Sequence, residues 1–226
     1  MSLTIETPGA EARDVLTQVE AAARAAAVSD VRYALRLDLA ANAATFRGQI
    51  ATRFTLAAGH AGPLFLCFRG RTIHSLTLNG VVIDAPEWNG YRLTLPAARL
   101  KAGAENLLEV SYENAYDTGG DGVFRFIDPE DQAEYIYTNF EPYEAHRMAP
   151  LFDQPDIKAK LTLTVAAPAA WQVFGNGAET AASPEGPGGT LHTFAETPPL
   201  ASYLFSFAAG PFVGKRFEVA LSLIHI

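Results

Sequence analysis

The sequence predicts an all-β fold, an antiparallel β-sandwich with one N-terminal helix, on three observations. Val31, Tyr33, Leu35, Leu37 and Leu39 alternate with polar or small residues, the period of a strand with one buried face. Short alternating or apolar runs recur down the chain, punctuated by Gly, Pro and Asn. A content of 49% hydrophobic and 11% aromatic residues in 226 suffices to bury one large core.

In chain order, residues 8–28 are rich in Ala, Glu and Arg, and Val15, Leu16, Val19, Ala22 and Ala23 recur at helical spacing, so one amphipathic helix is expected there. After Ser29-Asp30 the period changes and the β region begins with residues 31–39. Further strands are expected at 45–56, 64–68, 73–78, 81–83, 91–95, 106–112, 122–126, 134–138, 159–165, 171–174, 190–194 and 202–209. Asn79-Gly80 and Trp88-Asn89-Gly90-Tyr91 carry the residues that tight hairpin turns demand, because their central positions need a left-handed backbone. Residues 180–189, with two prolines and three glycines, read as an exposed hairpin loop.

Several function classes are disfavoured by composition. The 17 basic and 25 acidic side chains give a net charge of −8, and no Lys/Arg run could track a phosphate backbone, so nucleic acid is not an expected partner. The single cysteine, Cys67, lies in an apolar run and reads as a buried structural thiol. The opening Met1-Ser-Leu-Thr, followed by acidic residues, lacks the basic start and apolar middle of a secretion signal. No window of about 18 apolar residues could span a membrane. With the unpaired cysteine, these features point to the cytoplasm. H-E-x-x-H, G-x-S-x-G and phosphate-cradling glycine loops are all missing, and His60, His74, His146, His192 and His225 include no i, i+4 pair. The residues alone therefore give a soluble all-β domain.

One stretch goes further. Tyr137-Thr-Asn-Phe-Glu-Pro-Tyr-Glu-Ala-His-Arg-Met-Ala-Pro-Leu-Phe-Asp-Gln-Pro-Asp-Ile-Lys-Ala-Lys160 resembles the pattern T-Q-F-E-x-x-x-A-R-R-x-F-P-C-F-D-E/Q-P-x-x-K-A of the aminopeptidase N family, the gluzincin zinc metalloaminopeptidases. Collinear matches flank it. Thr118-Gly-Gly-Asp-Gly-Val-Phe-Arg-Phe-Ile-Asp-Pro129 is similar to G-x-G-L-x-R-F-x-D-P, Trp171-Gln-Val-Phe-Gly-Asn-Gly177 to W-x-V-x-S-N-G, and residues 197–210 to T-P-P-L-S-T-Y-L-x-A-F-x-x-G. The helix followed by Ser29-Asp-Val-Arg-Tyr33 is similar to bacterial cytosolic members.

The resemblance implies a helical segment (1–30), a saddle-like N-terminal β-domain (31–213), and in residues 214–226 the start of a catalytic domain. It implies zinc in the full-length protein but none bound by this chain, and no catalytic or metal-ligating residue here. The partners it implies are peptide substrates with a free N-terminus and the chain's own catalytic domain. In that family the Gln and Glu of T-Q-F-E help hold the substrate's terminal amine, and the matching positions are Asn139 and Glu141. A carboxylate suits this task because a peptide α-amine, with a pKa of about 8, is largely protonated at neutral pH. Asn139 is one methylene shorter than Gln, yet its carbonyl can still accept from an ammonium.

Without the resemblance, Asn, Glu and Pro after strand 134–138 are ordinary turn residues. Arg147 and Asp153 are expected as a charge pair bracing the loop. Phe140, Tyr143 and Phe152 are expected to pack, and His146, where the family has Arg, to lie on the surface. The closing Leu221-Ser-Leu-Ile-His-Ile226 matches one reading frame of a common transposon-based sequencing adapter, so an artefactual end on an incomplete gene is expected, with a native strand as the alternative. Three functions remain: the amine-anchoring domain of a zinc-dependent aminopeptidase, inactive alone; a non-catalytic peptide-binding or scaffold β-domain; or an epoxide-hydrolysing or structural relative, against which the Glu141 carboxylate argues.

Overall fold

The computed structural model describes residues 3–4, 14–62 and 64–214. The expectations for residues 8–13 and for the closing hexapeptide lie outside these. In chain order the elements are β1 (Leu3–Thr4), α1 (Gln18–Ala27), β2 (Val28–Asp38), β3 (Thr45–Leu56), β4 (Leu64–Cys67), β5 (Thr72–Leu78), β6 (Val81–Val82), β7 (Glu87–Trp88) and β8 (Arg92–Leu95). There follow β9 (Glu105–Ala115), β10 (Gly122–Ile127), β11 (Glu134–Asn139), β12 (Ala159–Pro168), β13 (Gln172–Gly175), β14 (Glu179–Glu185), β15 (Gly189–Phe194) and β16 (Phe207–Gly210). A nine-stranded sheet runs β1-β5-β9-β3-β2-β12-β15-β14, with β6 beside β5. A four-stranded sheet (β10-β11-β16-β13) and a three-stranded one (β4-β8-β7) complete the sandwich.

Alternation builds the core. β2 buries Val31, Tyr33, Leu35 and Leu37; β3 buries Phe46, Ile50, Phe54 and Leu56; β9 buries Leu108, Val110 and Tyr112; β12 buries Leu161, Leu163 and Val165. Each such side chain contributes roughly 1.5–3 kcal/mol on leaving water. Gly48 makes one of these packings possible. It pairs with Tyr112 across β3 and β9, and a Cβ there would fall 2.1 Å from the Tyr112 ring.

The all-β sandwich is as expected, with one departure from antiparallel order among the named strands of the described residues. β2 and β12 run parallel, from Val31 opposite Ala159 to Asp38 opposite Ala166. Parallel neighbours need a long crossover, and here most of the domain supplies it. Residues 180–189 are a second correction, because β14 pairs with β15 and only the Gly186 to Gly188 turn, with φ of 57° and 76°, is a loop. The strand escaped detection because it lies at a sheet edge, exposed on both faces, so it has no alternation, and an edge tolerates Pro184. Residues 202–209 split into a 3-10 turn at Ser202–Leu204 and β16.

The helix is shorter than expected and turned the other way. It starts at Gln18 behind a capping box, with Thr17 accepting from the Glu20 amide and Glu20 accepting from the Thr17 amide. Val15 and Val19, expected on its buried face, are 61% and 79% exposed. What it buries is Arg24 and Ala27. The Arg24 guanidinium donates to Gln154 Oε1 (3.1 Å) and the Asp153 carbonyl (3.2 Å) and lies 4.9 Å over the Phe65 ring. A polar anchor thus outweighs the apolar stripe. Among the described residues no helix is long and apolar enough to cross a membrane.

Candidate functional site

After β11 the chain makes a strap that crosses to the start of β12. Phe140, 2% exposed, plugs the core where the strand ends, and the Glu144 amide donates back to the Phe140 carbonyl (2.9 Å). Between them lie Glu141 and Pro142, joined by a cis peptide. A 3-10 turn at Ala145–Arg147 follows. The strap then pairs with the end of β4, where Cys67 and Leu151 exchange both backbone bonds (2.8 and 3.0 Å).

Buried polar side chains pin this strap from beneath. Tyr112 donates to the Met148 carbonyl (2.7 Å), the Phe152 amide to the Tyr33 hydroxyl (2.9 Å), and Asn114 Nδ2 to the carbonyls of Arg69 (3.0 Å) and Arg147 (2.6 Å). Cys67 is buried, as expected, with the Arg24 guanidinium 3.2 Å and the Tyr143 hydroxyl 3.0 Å from its sulfur. Each satisfies a group that would otherwise be buried unpaired.

Two expectations about charged residues fail here. His146 is not on the surface but fully buried. Its Nδ1 lies 2.7 Å from Asp153 Oδ2, and its Nε2 lies 2.8 Å from Asp14 Oδ1 as an ion pair not aligned for a hydrogen bond. Burial alone would depress the imidazolium, but the two carboxylates outweigh it and hold the pKa up at about 9. Burial likewise favours a neutral Asp14, yet His146, Arg69 and Arg147 bring its carboxyl below the usual range. Nor do Arg147 and Asp153 pair with each other. Arg147 binds Asp117 and Glu144, while Asp153 takes His146 and the Ser202 hydroxyl. Phe140 and Phe152 pack as expected, with Tyr143 half-buried.

Between residues 142 and 154 the polar side chains therefore face inward or are half-buried, with Asp156 and Lys158 exposed further on, and two residues stand out at the β11 end. Asn139, the last residue of β11, and Glu141 are exposed. Among the described residues the Glu141 carboxylate has no partner. The Asn139 amide nitrogen donates to the Gly120 carbonyl (3.1 Å), with Asp121 Oδ1 at 3.4 Å. Gly120 and Asp121 were not singled out from the sequence. The ladder was the available signal, since a hairpin centred between β10 and β11 sets Gly122 opposite Asn139.

Asn139 also borders an aromatic surface. Register places Phe124, Tyr137, Ala208 and Phe174 in one row across the four-stranded sheet, with Phe126 and Tyr135 as the next pair and Asn139 on the same face. Phe126, Tyr137 and Phe174 are 39%, 39% and 49% exposed. Ring pairs Phe124–Tyr137 (5.0 Å), Tyr135–Phe212 (5.0 Å) and Phe174–Phe212 (5.7 Å) make the patch continuous. The opposite face, with Val123, Ile136, Val173 and Ala209, is core. Contiguous exposed apolar surface of this kind marks an interaction face.

The sandwich and its strap define the class, an all-β domain with one N-terminal helix. In fold the chain matches the M1 zinc metallopeptidase of Deinococcus radiodurans, with a TM-score of 0.68 at 19% identity over 81% of this chain and 42% of that one. A mutant two-domain M1 zinc metallopeptidase bound to L-arginine gives a TM-score of 0.69 at the same identity and coverage. The sequence profile of the Peptidase M1 N-terminal domain matches residues 29–204, and the chain belongs to that family. Aminopeptidase N of Streptomyces lividans is 37% identical over 200 residues, 87% of this chain and 22% of the relative. Aminopeptidase N of Acetobacter pasteurianus is 28% identical over 150 residues, 60% of this chain and 41% of the relative. The chain thus spans well under half the length of these relatives.

The Deinococcus radiodurans protein is a zinc metallopeptidase by name, and the described side chains of this chain do not offer such an ion a site. Among the described residues no group of three or more His, Cys, Asp and Glu is placed to hold a metal. The nearest candidate, Asp14–His146–Asp153, uses both imidazole nitrogens on carboxylates. These residues do not fit a zinc site.

Proposed function

We propose that this chain is the substrate-anchoring β-domain of a zinc-dependent aminopeptidase, in which Glu141 and Asn139 hold the ammonium group of a peptide's free N-terminus. One observation carries this: Asn139 and Glu141 are the outward polar pair at the β11 end of the strap, where His146, Arg147, Asp153 and Gln154 are spent on holding it down. An acceptor held as Asn139 is attracts a cation without the cost of ordering itself, and its attraction and that of the Glu141 carboxylate grow as water is excluded. The aromatic face beside them is the seat of the remaining protein, which supplies the opposite wall of the cleft and the zinc. The anchoring role itself needs no metal. Peptides with free N-termini are the substrates, and the cytoplasm is the proposed compartment.

The test is an NMR titration of the chain with L-leucinamide and N-acetyl-leucinamide. Signals of Glu141 and Asn139 should move with the free amine only, and Glu141→Gln should abolish the response. Equal responses to both compounds would remove the anchoring role. In the whole enzyme, Glu141→Ala should lower kcat/KM roughly ten- to a thousandfold, the scale of a lost charge-assisted hydrogen bond in a closed cleft.

A further inference from the structure

The amide of Asn139 is not free to turn. Its nitrogen faces the Gly120 carbonyl at 3.1 Å and the Asp121 carboxylate at 3.4 Å. Both are acceptors and neither can donate, so the group facing them is the NH2 and the side-chain oxygen points away.

The loop that presents these acceptors is itself fixed. Asp117 donates its amide to the Val123 carbonyl (2.7 Å) and accepts the Arg125 amide at its own carbonyl (3.1 Å). One oxygen of its carboxylate accepts from the amides of Thr118 (3.0 Å) and Gly119 (3.2 Å), and the other binds Arg147. Gly122, at φ 77°, closes the loop against Arg147, where a Cβ would fall 2.9 Å from the Arg147 Cδ. The strap's own arginine therefore sets the loop, and the loop sets Asn139.

We infer that Asp121 and the Gly120 carbonyl are positioning groups that lock Asn139 as an acceptor-only contact, selecting a cationic amine and rejecting carboxylate groups. This rests on the anchoring role proposed for Asn139 and Glu141. An approaching ammonium meets a carbonyl oxygen and the Glu141 carboxylate. An approaching carboxylate meets only acceptors, with no N–H turned toward it.

Asn139→Asp separates positioning from plain charge. Added negative charge alone would tighten binding of L-leucinamide. Positioning instead gives roughly three- to tenfold weaker binding, because the lost N–H leaves three acceptors facing one another. Combining Asn139→Asp with Asp121→Asn should restore affinity, since D121N supplies the missing donor. A ligand-free readout accompanies this: the carboxyl introduced by Asn139→Asp should titrate above the ordinary range of about 4 and return to it with D121N. Tighter leucinamide binding by N139D, or an ordinary titration of its carboxyl, would overturn the inference. If the parent chain binds no leucinamide, or Glu141→Gln changes nothing, the anchoring role falls, while the carboxyl titration still decides whether residue 139 is held by the loop. Residues 121 and 139 are exposed, so dispersed amide spectra of the variants confirm that they fold.

Discussion

His146 should make the stability of the domain depend on pH in a way few surface groups could. It is fully buried between Asp153 and Asp14, and its pKa stands at about 9 against an ordinary 6.5. A raised folded-state pKa means the native state holds the proton more tightly than the unfolded chain. The stabilisation is complete below about pH 6.5, shrinks as pH rises, and is gone once pH passes about 9. The gap between these values corresponds to on the order of 3 kcal/mol. Asp14 is about a quarter exposed, which makes this an upper figure. His146→Gln removes the charge but keeps a donor for Asp153, which retains the His146-position amide and the Ser202 hydroxyl in either case. Urea unfolding followed by the fluorescence of Trp88 and Trp171 should place the variant on the order of 3 kcal/mol below the parent at pH 6, with most of the gap closed by pH 10. Other groups that titrate at alkaline pH act on both proteins and cancel in the difference. A gap that stays constant from pH 6 to 10 would refute the buried imidazolium.

Two further substitutions test the scaffold beneath the strap. Gly48→Ala should cost about 2–4 kcal/mol, since its Cβ would fall inside the Tyr112 ring and displace the hydroxyl that holds Met148; a variant with unchanged urea midpoint would show that the ring has room to move. Asn114→Ala should cost roughly 2–3 kcal/mol by stranding the Arg69 and Arg147 carbonyls, with a matching fall in melting temperature.

Much of the fold could be read from the sequence because burial on one face writes itself as alternation. β3 lies at Thr45–Leu56, as its pattern requires, and Asn79-Gly80 makes its hairpin with both residues at positive φ. Where burial does not alternate, the reading failed. β14 is exposed on both faces, and α1 docks through one arginine rather than through its apolar stripe. The candidate site divides the same way. Asn139 and Glu141 read as ordinary turn residues by type, in keeping with their exposure, and were singled out only through a family pattern. The braces were misassigned because their partners come from remote segments: Asp14 and Ser202 reach the His146–Asp153 pair, and Asp117 reaches Arg147. Local spacing carries no trace of such contacts. Only the Gly122–Asn139 pairing was within reach, through hairpin symmetry.

The parallel pairing of β2 with β12 governs the order in which this domain can be made on a ribosome. β2, eleven residues long, meets one neighbour early, in β3, but its other edge stays open until residues 159–166 have emerged. The strap is synthesised within that interval, after β11 and before the closing strand. A nascent chain in this state carries the complete strap together with an unpaired strand edge ready to add foreign strands. Synthesis that stalls between the strap and β12 would therefore yield a sticky intermediate, since β12, and after it β15 and β14, have still to cover that side of the sheet.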